Sequence, residues 1–273
     1  MTTPVDDLLP HHAATVTALT QQMSADPDVL ALVLGGSIAH GFATPASDVD
    51  VTIVVSPEDL ARRAAAHRLH YNATDVVTYE GGYIDGKYVD LAGLRLVAER
   101  GSDPARYAFV GARVLVSRID GLADLVAEIT RYPQVERASR IERFAAQLLA
   151  WRWYHSQGVA KGDAYLTTAS LAKVVLFACR LVLAQNSLLY PHHKWLMRVT
   201  AGAPDAPTDL VPRLLALSAD PAGAEVGDVD ALVRDLFDRY GIDREAADAA
   251  WPTHFIRDSE NAWVHGHAPI DEM

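Results

Sequence analysis

Two kinds of hydrophobic spacing divide this chain near residue 132. Before it, short apolar runs alternate with helical patterns and turn residues; after it, apolar positions recur almost only at three- and four-residue steps. Val16, Leu19 and Met23 predict a helix over residues 10–24, ended by Asp26-Pro27-Asp28. Strands are predicted over about 29–35 and 48–55, with a short helix near 37–42 between them. Ser56-Pro57-Glu58-Asp59 carries a cap, a first-turn Pro and first-turn acids, and predicts a helix running to about His70. Val76–Tyr79 and Tyr88–Leu91 read as strands around Gly81-Gly82 and Asp85-Gly86, Asp-Gly being a strong hairpin signal. A helix near 94–100, a strand over 112–117 and a helix over 122–131 follow, and Tyr132-Pro133 marks a boundary. Beyond it, Ile141, Phe144, Ala145, Leu148 and Trp151 keep helical steps, and Leu171, Val174, Val175, Ala178, Leu181 and Val182 form a cleaner stripe. Further helices are predicted over 191–201, 209–218 and 228–240, while the tail from His254 to Met273 is polar and aperiodic.

Composition narrows the class without naming it. A chain of 273 residues, half apolar and 22% charged, can bury a sizeable core in one large or two modest domains. No apolar run approaches the roughly 20 residues that cross a bilayer, and the acidic start Met1–Asp7 lacks a signal peptide's basic and apolar regions. The single Cys179 excludes an internal disulfide and reads as a small core residue. A cytoplasmic location, with no membrane partner, is the consistent expectation. With 24 basic against 35 acidic residues, the net charge of −11 argues against a nucleic-acid partner and suits a cationic or small neutral substrate.

The chemistry concentrates between Leu34 and Val51. A predicted strand runs into Gly35-Gly36-Ser37, and after a Gly- and Pro-broken excursion Ser47-Asp48-Val49-Asp50-Val51 opens the next strand. Side chains alternate across a strand, so Asp48 and Asp50 project from one face. Two adjacent carboxylates repel unless something positive lies between them, and an all-oxygen donor set suits magnesium or manganese. Glycines before Ser37 let backbone approach a ligand, and free N–H groups at a helix start attract phosphate. The competing reading is a tight loop with a capping Ser and two solvated aspartates. Asp90 also stands out, because it interrupts an apolar run (Val89, Leu91, Leu94) where a carboxylate needs a partner or a metal. An edge position or a salt bridge would equally account for it. Asp85 is explained by its turn and Glu80 by a solvent face.

Gly36-Ser37, ten intervening residues and then Ser47-Asp48-Val49-Asp50-Val51 resembles the signature of the DNA-polymerase-β-like nucleotidyltransferase superfamily, over roughly residues 29–120. Its local wording is most similar to small bacterial members, including the aminoglycoside nucleotidyltransferases. The resemblance implies an α+β fold, with a small mixed β-sheet nucleotidyltransferase domain (1–132), helices on one side of the sheet, and a C-terminal helical bundle (133–273). The active site is expected in the cleft between them. It implies two Mg²⁺ ions, or Mn²⁺, held by Asp48, Asp50 and a third carboxylate on a later strand, for which Asp90 is the best-placed match. Asp90 could alternatively act as general base. Gly36, Ser37 and Ser47 would hold phosphates of ATP or another nucleoside triphosphate. The implied reaction moves AMP onto a hydroxyl of a small molecule, an antibiotic among the possible acceptors, and releases pyrophosphate. A protein or tRNA acceptor and a catalytically silent nucleotide-binding module are the alternatives.

In the second domain, Tyr190-Pro191-His192-His193-Lys194-Trp195 places cations in a predicted first helical turn, against the helix dipole. The run resembles a segment in the helical half of some bacterial nucleotidyltransferases, where Lys194 would reach the triphosphate. A solvated helix end with Tyr190 and Trp195 in the core is the equal alternative, and for His192 and His193 the preferred one. Lys173 and Arg180 share a helix face and read as solvated. His11-His12 and His265 with His267 lack zinc-site spacing and read as surface. There is no Gly-x-Ser-x-Gly elbow and no phosphate-binding Gly-Lys-Ser/Thr loop. The acceptor, the nucleobase and the oligomeric state are not written in the sequence.

Overall fold

A computed structural model describes residues 6–266 and 268–270. The chain divides into two compact units, Met1–Arg131 and Tyr132–Met273. Its hydrophobic clusters divide at the same place: two are built from residues up to Ile129 and one from Phe144 onward.

The first unit begins with helix α1 (Pro10–Ala25), strand β1 (Val29–Leu34), a single turn α2 (Gly36–Ala39), strand β2 (Val49–Val55) and helix α3 (Pro57–Ala65). Strands β3 (His70–Ala73) and β4 (Ile84–Val89), helices α4 (Leu91–Arg100) and α5 (Asp103–Tyr107), strand β5 (Arg113–Ser117) and helix α6 (Leu122–Ile129) complete it. The strands form one sheet in the order β3-β4-β2-β1-β5. Only β2 and β4 are parallel; the other pairs are antiparallel. The architecture is α+β with a mixed sheet.

Near-continuous apolar runs in β1 and β2 call for cover on both faces. Val16, Leu19 and Met23 of α1 pack on the face carrying Val49, Val51, Ile53, Val55 and Ile84. Leu94 of α4 and Leu122, Val126 and Ile129 of α6 pack on the face carrying Ala31, Val33 and Val54. Helices on one side only, as expected from the sequence, would have left the second set in water.

Three local expectations fail for physical reasons. The helix begun at Ser56, whose Oγ accepts the Asp59 N–H at 3.2 Å, stops at Ala65 rather than His70. The chain reverses through His67 at φ +54° and enters β3. In that strand only Tyr71 packs on the core, too little for a period of two to register. Val76–Tyr79 is not a strand; Val76 and Val77 reach the core from a loop. Asp85-Gly86 is not a turn but lies inside β4. Gly86 lets the strands pack closely there, since a Cβ would stand 3.0 Å from the Val51 side chain and 3.2 Å from that of Tyr71.

The second unit consists of helices α7 (Arg137–Lys161), α8 (Ala164–Gln185), α9 (Leu196–Ala201), α10 (Leu210–Ala219), α11 (Val226–Tyr240) and α12 (Arg244–Phe255). Gly162 at φ +65° ends α7, and Asp163 caps α8 by accepting the Leu166 N–H at 3.0 Å. By length and composition α8 could cross a membrane, contrary to the expectation of no such run, but 72% of its apolar window is buried inside the protein. Cys179 lies in this core as expected, its thiol pKa pushed up to about 12 by burial. Arg180 is not solvated: it is 3% exposed, 4.3 Å from the Phe144 ring, 4.9 Å from the Tyr190 ring, and donates to the Ile270 carbonyl at 2.5 Å. The aperiodic tail is also structured. A π-helical turn (Ile256–Glu260) follows α12, and Asp258 accepts from Arg143 of α7 at 2.8 Å and from Arg257 at 2.9 Å. His265 is exposed; His267 and residues 1–5 lie outside the described residues.

Candidate active site

The parallel register of β2 and β4 sets Asp50 beside Asp85. Asp48 precedes β2 by one residue, on the Asp50 side of the pleat. One carboxylate oxygen from each of Asp48, Asp50 and Asp85 lies within 4.8 Å of the others, and all three residues are half-buried. A strand alternates faces, so Asp50, Thr52 and Val54 share the α4–α6 side, and the register brings Asp85 and Lys87 to it.

Asp90 is not in this group, a correction to the sequence reading. It stands five residues beyond Asp85, about 16 Å along a strand at about 3.3 Å per residue, where Val89 pairs with Val54. Strand β4 has already ended, and Asp90 caps α4 by accepting the Gly93 N–H at 2.7 Å. Its interruption of the apolar run is a helix start.

The Gly-Gly-Ser corner lies against Asp50. The Gly35 N–H donates to the Asp50 carbonyl at 2.9 Å. Gly36 has φ +60°, and a Cβ there would come within 1.7 Å of Asp50 Oδ2, so this position requires glycine twice over. Ser37 is 5% exposed, and its Oγ has no hydrogen-bond partner among the described residues. Such an orphaned buried hydroxyl calls for a ligand or water to accept or donate. Because α2 is one turn long, its dipole is small, and any hold on phosphate rests on backbone N–H groups and this hydroxyl.

Ser47 serves the loop. Its Oγ accepts the Thr44 N–H at 2.9 Å, and its carbonyl accepts from the Tyr79 hydroxyl at 2.6 Å and from His12 Nε2 at 3.0 Å. These bonds pin the peptide preceding Asp48. They also revise the reading of His12 as surface, since it is 1% exposed. Burial, with help from the neighbouring His11, holds its pKa below the ordinary histidine value even though the Ser47 carbonyl opposes the shift.

Three residues overlooked in the sequence flank the carboxylates. Tyr83 stands beside Asp48, whose carboxylate raises the tyrosine's pKa. His70 Nε2 lies 2.5 Å from Asp85 Oδ1. Desolvation lowers the pKa of the Lys87 ammonium, and the Asp50 charge opposes that shift. The alternation of Asp85 and Lys87 with Ile84, Gly86 and Tyr88 is the signal that could have found Asp85 and Lys87.

In the second unit, the helix expected from Pro191 starts only at Leu196, after a 3₁₀ turn (His193–Trp195) entered through His192 at φ +65°. Lys194 is exposed, its Nζ 5.1 Å from the Trp195 ring. His192 and His193 are exposed, and Tyr190 is buried.

The first-unit donor set is three carboxylates with no nitrogen or sulfur, which fits a hard divalent cation such as Mg²⁺ or Mn²⁺. Residues 17–102, from α1 through the end of α4, match the family model of the nucleotidyltransferase domain. That segment contains Gly36, Ser37 and all three clustered carboxylates, and the match supports a transferase that moves nucleoside monophosphates. Among solved structures the chain is similar to a nucleotidyltransferase-like protein from Exiguobacterium sibiricum, at 12% identity and a TM-score of 0.45, covering 84% of this chain and 73% of that one. No curated protein matches the chain significantly.

Proposed function

We propose that the first unit transfers a nucleoside monophosphate, AMP from ATP, onto a hydroxyl group of a small molecule. A bond forms between the acceptor oxygen and the α-phosphorus, the bond from that phosphorus to the β-phosphate bridging oxygen breaks, and pyrophosphate leaves. The observation that carries this reading is the convergence of Asp48, Asp50 and Asp85 within 4.8 Å. Asp48, Asp50 and Asp85 would hold divalent cations, which when bound neutralise triphosphate charge and lower the pKa of the attacking hydroxyl. Asp85 takes the role first assigned to Asp90, including acceptance of the hydroxyl proton. Ser37 Oγ, without a partner among the described residues, donates to a phosphate oxygen, and Gly36 lets Asp50 close against the corner. Ser47 holds the loop that aims Asp48. The net charge of −11 favours a cationic or neutral acceptor over a polyanion.

The test is incubation with each labelled nucleoside triphosphate, Mg²⁺ and a panel of hydroxyl-bearing acceptors that includes aminoglycosides and lincosamides, with pyrophosphate release as readout. ATP is expected to be consumed in an acceptor-dependent way. Asp85→Asn should cut the rate roughly a thousandfold, the loss of about 4 kcal/mol of charge stabilisation at about 1.4 kcal/mol per tenfold. Asp90→Asn should leave it unchanged, because Asn caps a helix as well as Asp. The opposite ranking of these two variants would refute the assignment.

A further inference from the structure

We propose that His70 is a positioning residue for the Asp85 carboxylate, so that cation affinity in this unit depends on the edge strand β3. This rests on the carboxylate group being the metal site of the proposed reaction. In the antiparallel β3–β4 register, Asn72 is opposite Asp85 and His70 is opposite Lys87. His70 is therefore the diagonal same-face neighbour of Asp85, within reach of a long side chain. It is this diagonal ring that meets the carboxylate, Nε2 to Oδ1 at 2.5 Å. Asn72, directly across, makes no hydrogen bond to it among the described residues.

The consequence follows from the exposure of the pair. The Asp85 side chain is 43% exposed, and no other hydrogen bond to its carboxylate is found among the described residues. Without the ring, nothing in β3 or β4 would stop the carboxylate from rotating away from its two neighbours, which repel it. With one oxygen accepting from Nε2–H, the plane of the carboxylate is fixed while the other oxygen keeps all its lone pairs for a cation. Asp48 is steadied in a parallel way by the preceding Ser47 peptide, whose carbonyl accepts from Tyr79 and His12. The outer members of the group are thus each tied down by a neighbour, and Asp50 by the Gly36 corner. A metal-binding carboxylate oriented by such a partner loses about tenfold or more in metal affinity when the partner is removed.

The experiment is Mn²⁺ binding, followed by electron paramagnetic resonance of the free ion, to the wild-type chain and to H70A, H70Q, N72A and D85N, with the melting temperature of each metal-free protein. Gln offers an N–H at nearly the reach of Nε2. The expected result is a roughly tenfold weaker Mn²⁺ Kd for H70A, recovery by H70Q, no change for N72A, and metal-free melting temperatures of H70A and H70Q equal to wild type. Loss of binding in D85N confirms that the measured site is this one. If D85N loses binding and H70A binds as wild type does, the role of His70 is overturned and the metal site stands. If H70Q stays as weak as H70A, the hydrogen bond is not the cause and the proposal also falls. If the wild type binds no Mn²⁺, the reading of the site falls and His70 with it.

Discussion

At the scale of single residues, the site is shaped by what cannot be substituted. Gly36 and Gly41 both have positive φ, at +60° and +71°, but of the two only Gly36 has a neighbour that a Cβ would strike, whereas a Cβ built on Gly41 would meet nothing within 4 Å. Gly41→Ala should therefore cost only the left-handed strain, about 1–2 kcal/mol. Gly36→Ala should cost that and also displace Asp50, so its Mn²⁺ affinity should fall while that of Gly41→Ala is kept. Equal metal affinity in the two variants would show that Asp50 does not depend on the corner. The crowding of like charges has its own signature. Asp48→Asn or Asp50→Asn should raise the metal-free melting temperature by relieving repulsion, while removing the stabilisation that Mg²⁺ gives the wild type. The pair Asp48 and Asp50 was legible in the sequence because a period of two is local. Asp85 was not, because only the parallel register of β4 against β2 makes it their neighbour, and that register is decided by distant contacts. The same dipeptide that signals a hairpin, Asp85-Gly86, here serves a carboxylate and a close packing of strands.

At the scale of elements, long periodic segments declared themselves and short or irregular ones did not. Helices α1 and α11 were placed to within a few residues of their ends, while the stripe over 171–182 marked only the middle of α8. Strand β3 has a single core side chain, and α12 packs inward through only Ala247, Trp251 and Phe255, four residues apart, before the π-helical turn. The end of that segment is held instead by charge. Asp258 is 6% exposed; burial raises its pKa, but hydrogen bonds from Arg257 and Arg143 outweigh this and hold it below the ordinary carboxylate value. A depressed folded-state pKa gives stability that is present above the unfolded value, near 3.9, and lost as pH falls through the lower folded value. Asp258→Asn should accordingly lower the melting temperature most at neutral pH, and the gap to wild type should close in acid below about pH 4. A gap that is constant with pH would mean the carboxylate's charge contributes nothing.

At the scale of the molecule, the cores are separate. The clusters built on the sheet use residues up to Ile129, and the helical cluster uses residues from Phe144 onward. No buried cluster among the described residues mixes the two sets, so each unit has its own reason to stay folded. This separation bears on what a ligand can stabilise. ATP with Mg²⁺ bound to the carboxylate unit at about 100 times its Kd should add about 2.7 kcal/mol to whatever unfolds with that unit. Phe177, fully buried in the helical cluster, should cost about 3–5 kcal/mol when cut to Ala. Calorimetry of the whole chain should then resolve two transitions, one moved by Mg²⁺ and ATP and the other by Phe177→Ala, with the Mn²⁺ Kd of Phe177→Ala equal to wild type. One transition that moves under both treatments would mean that the units unfold as one, and that energy spent in the helical core is felt at the carboxylates.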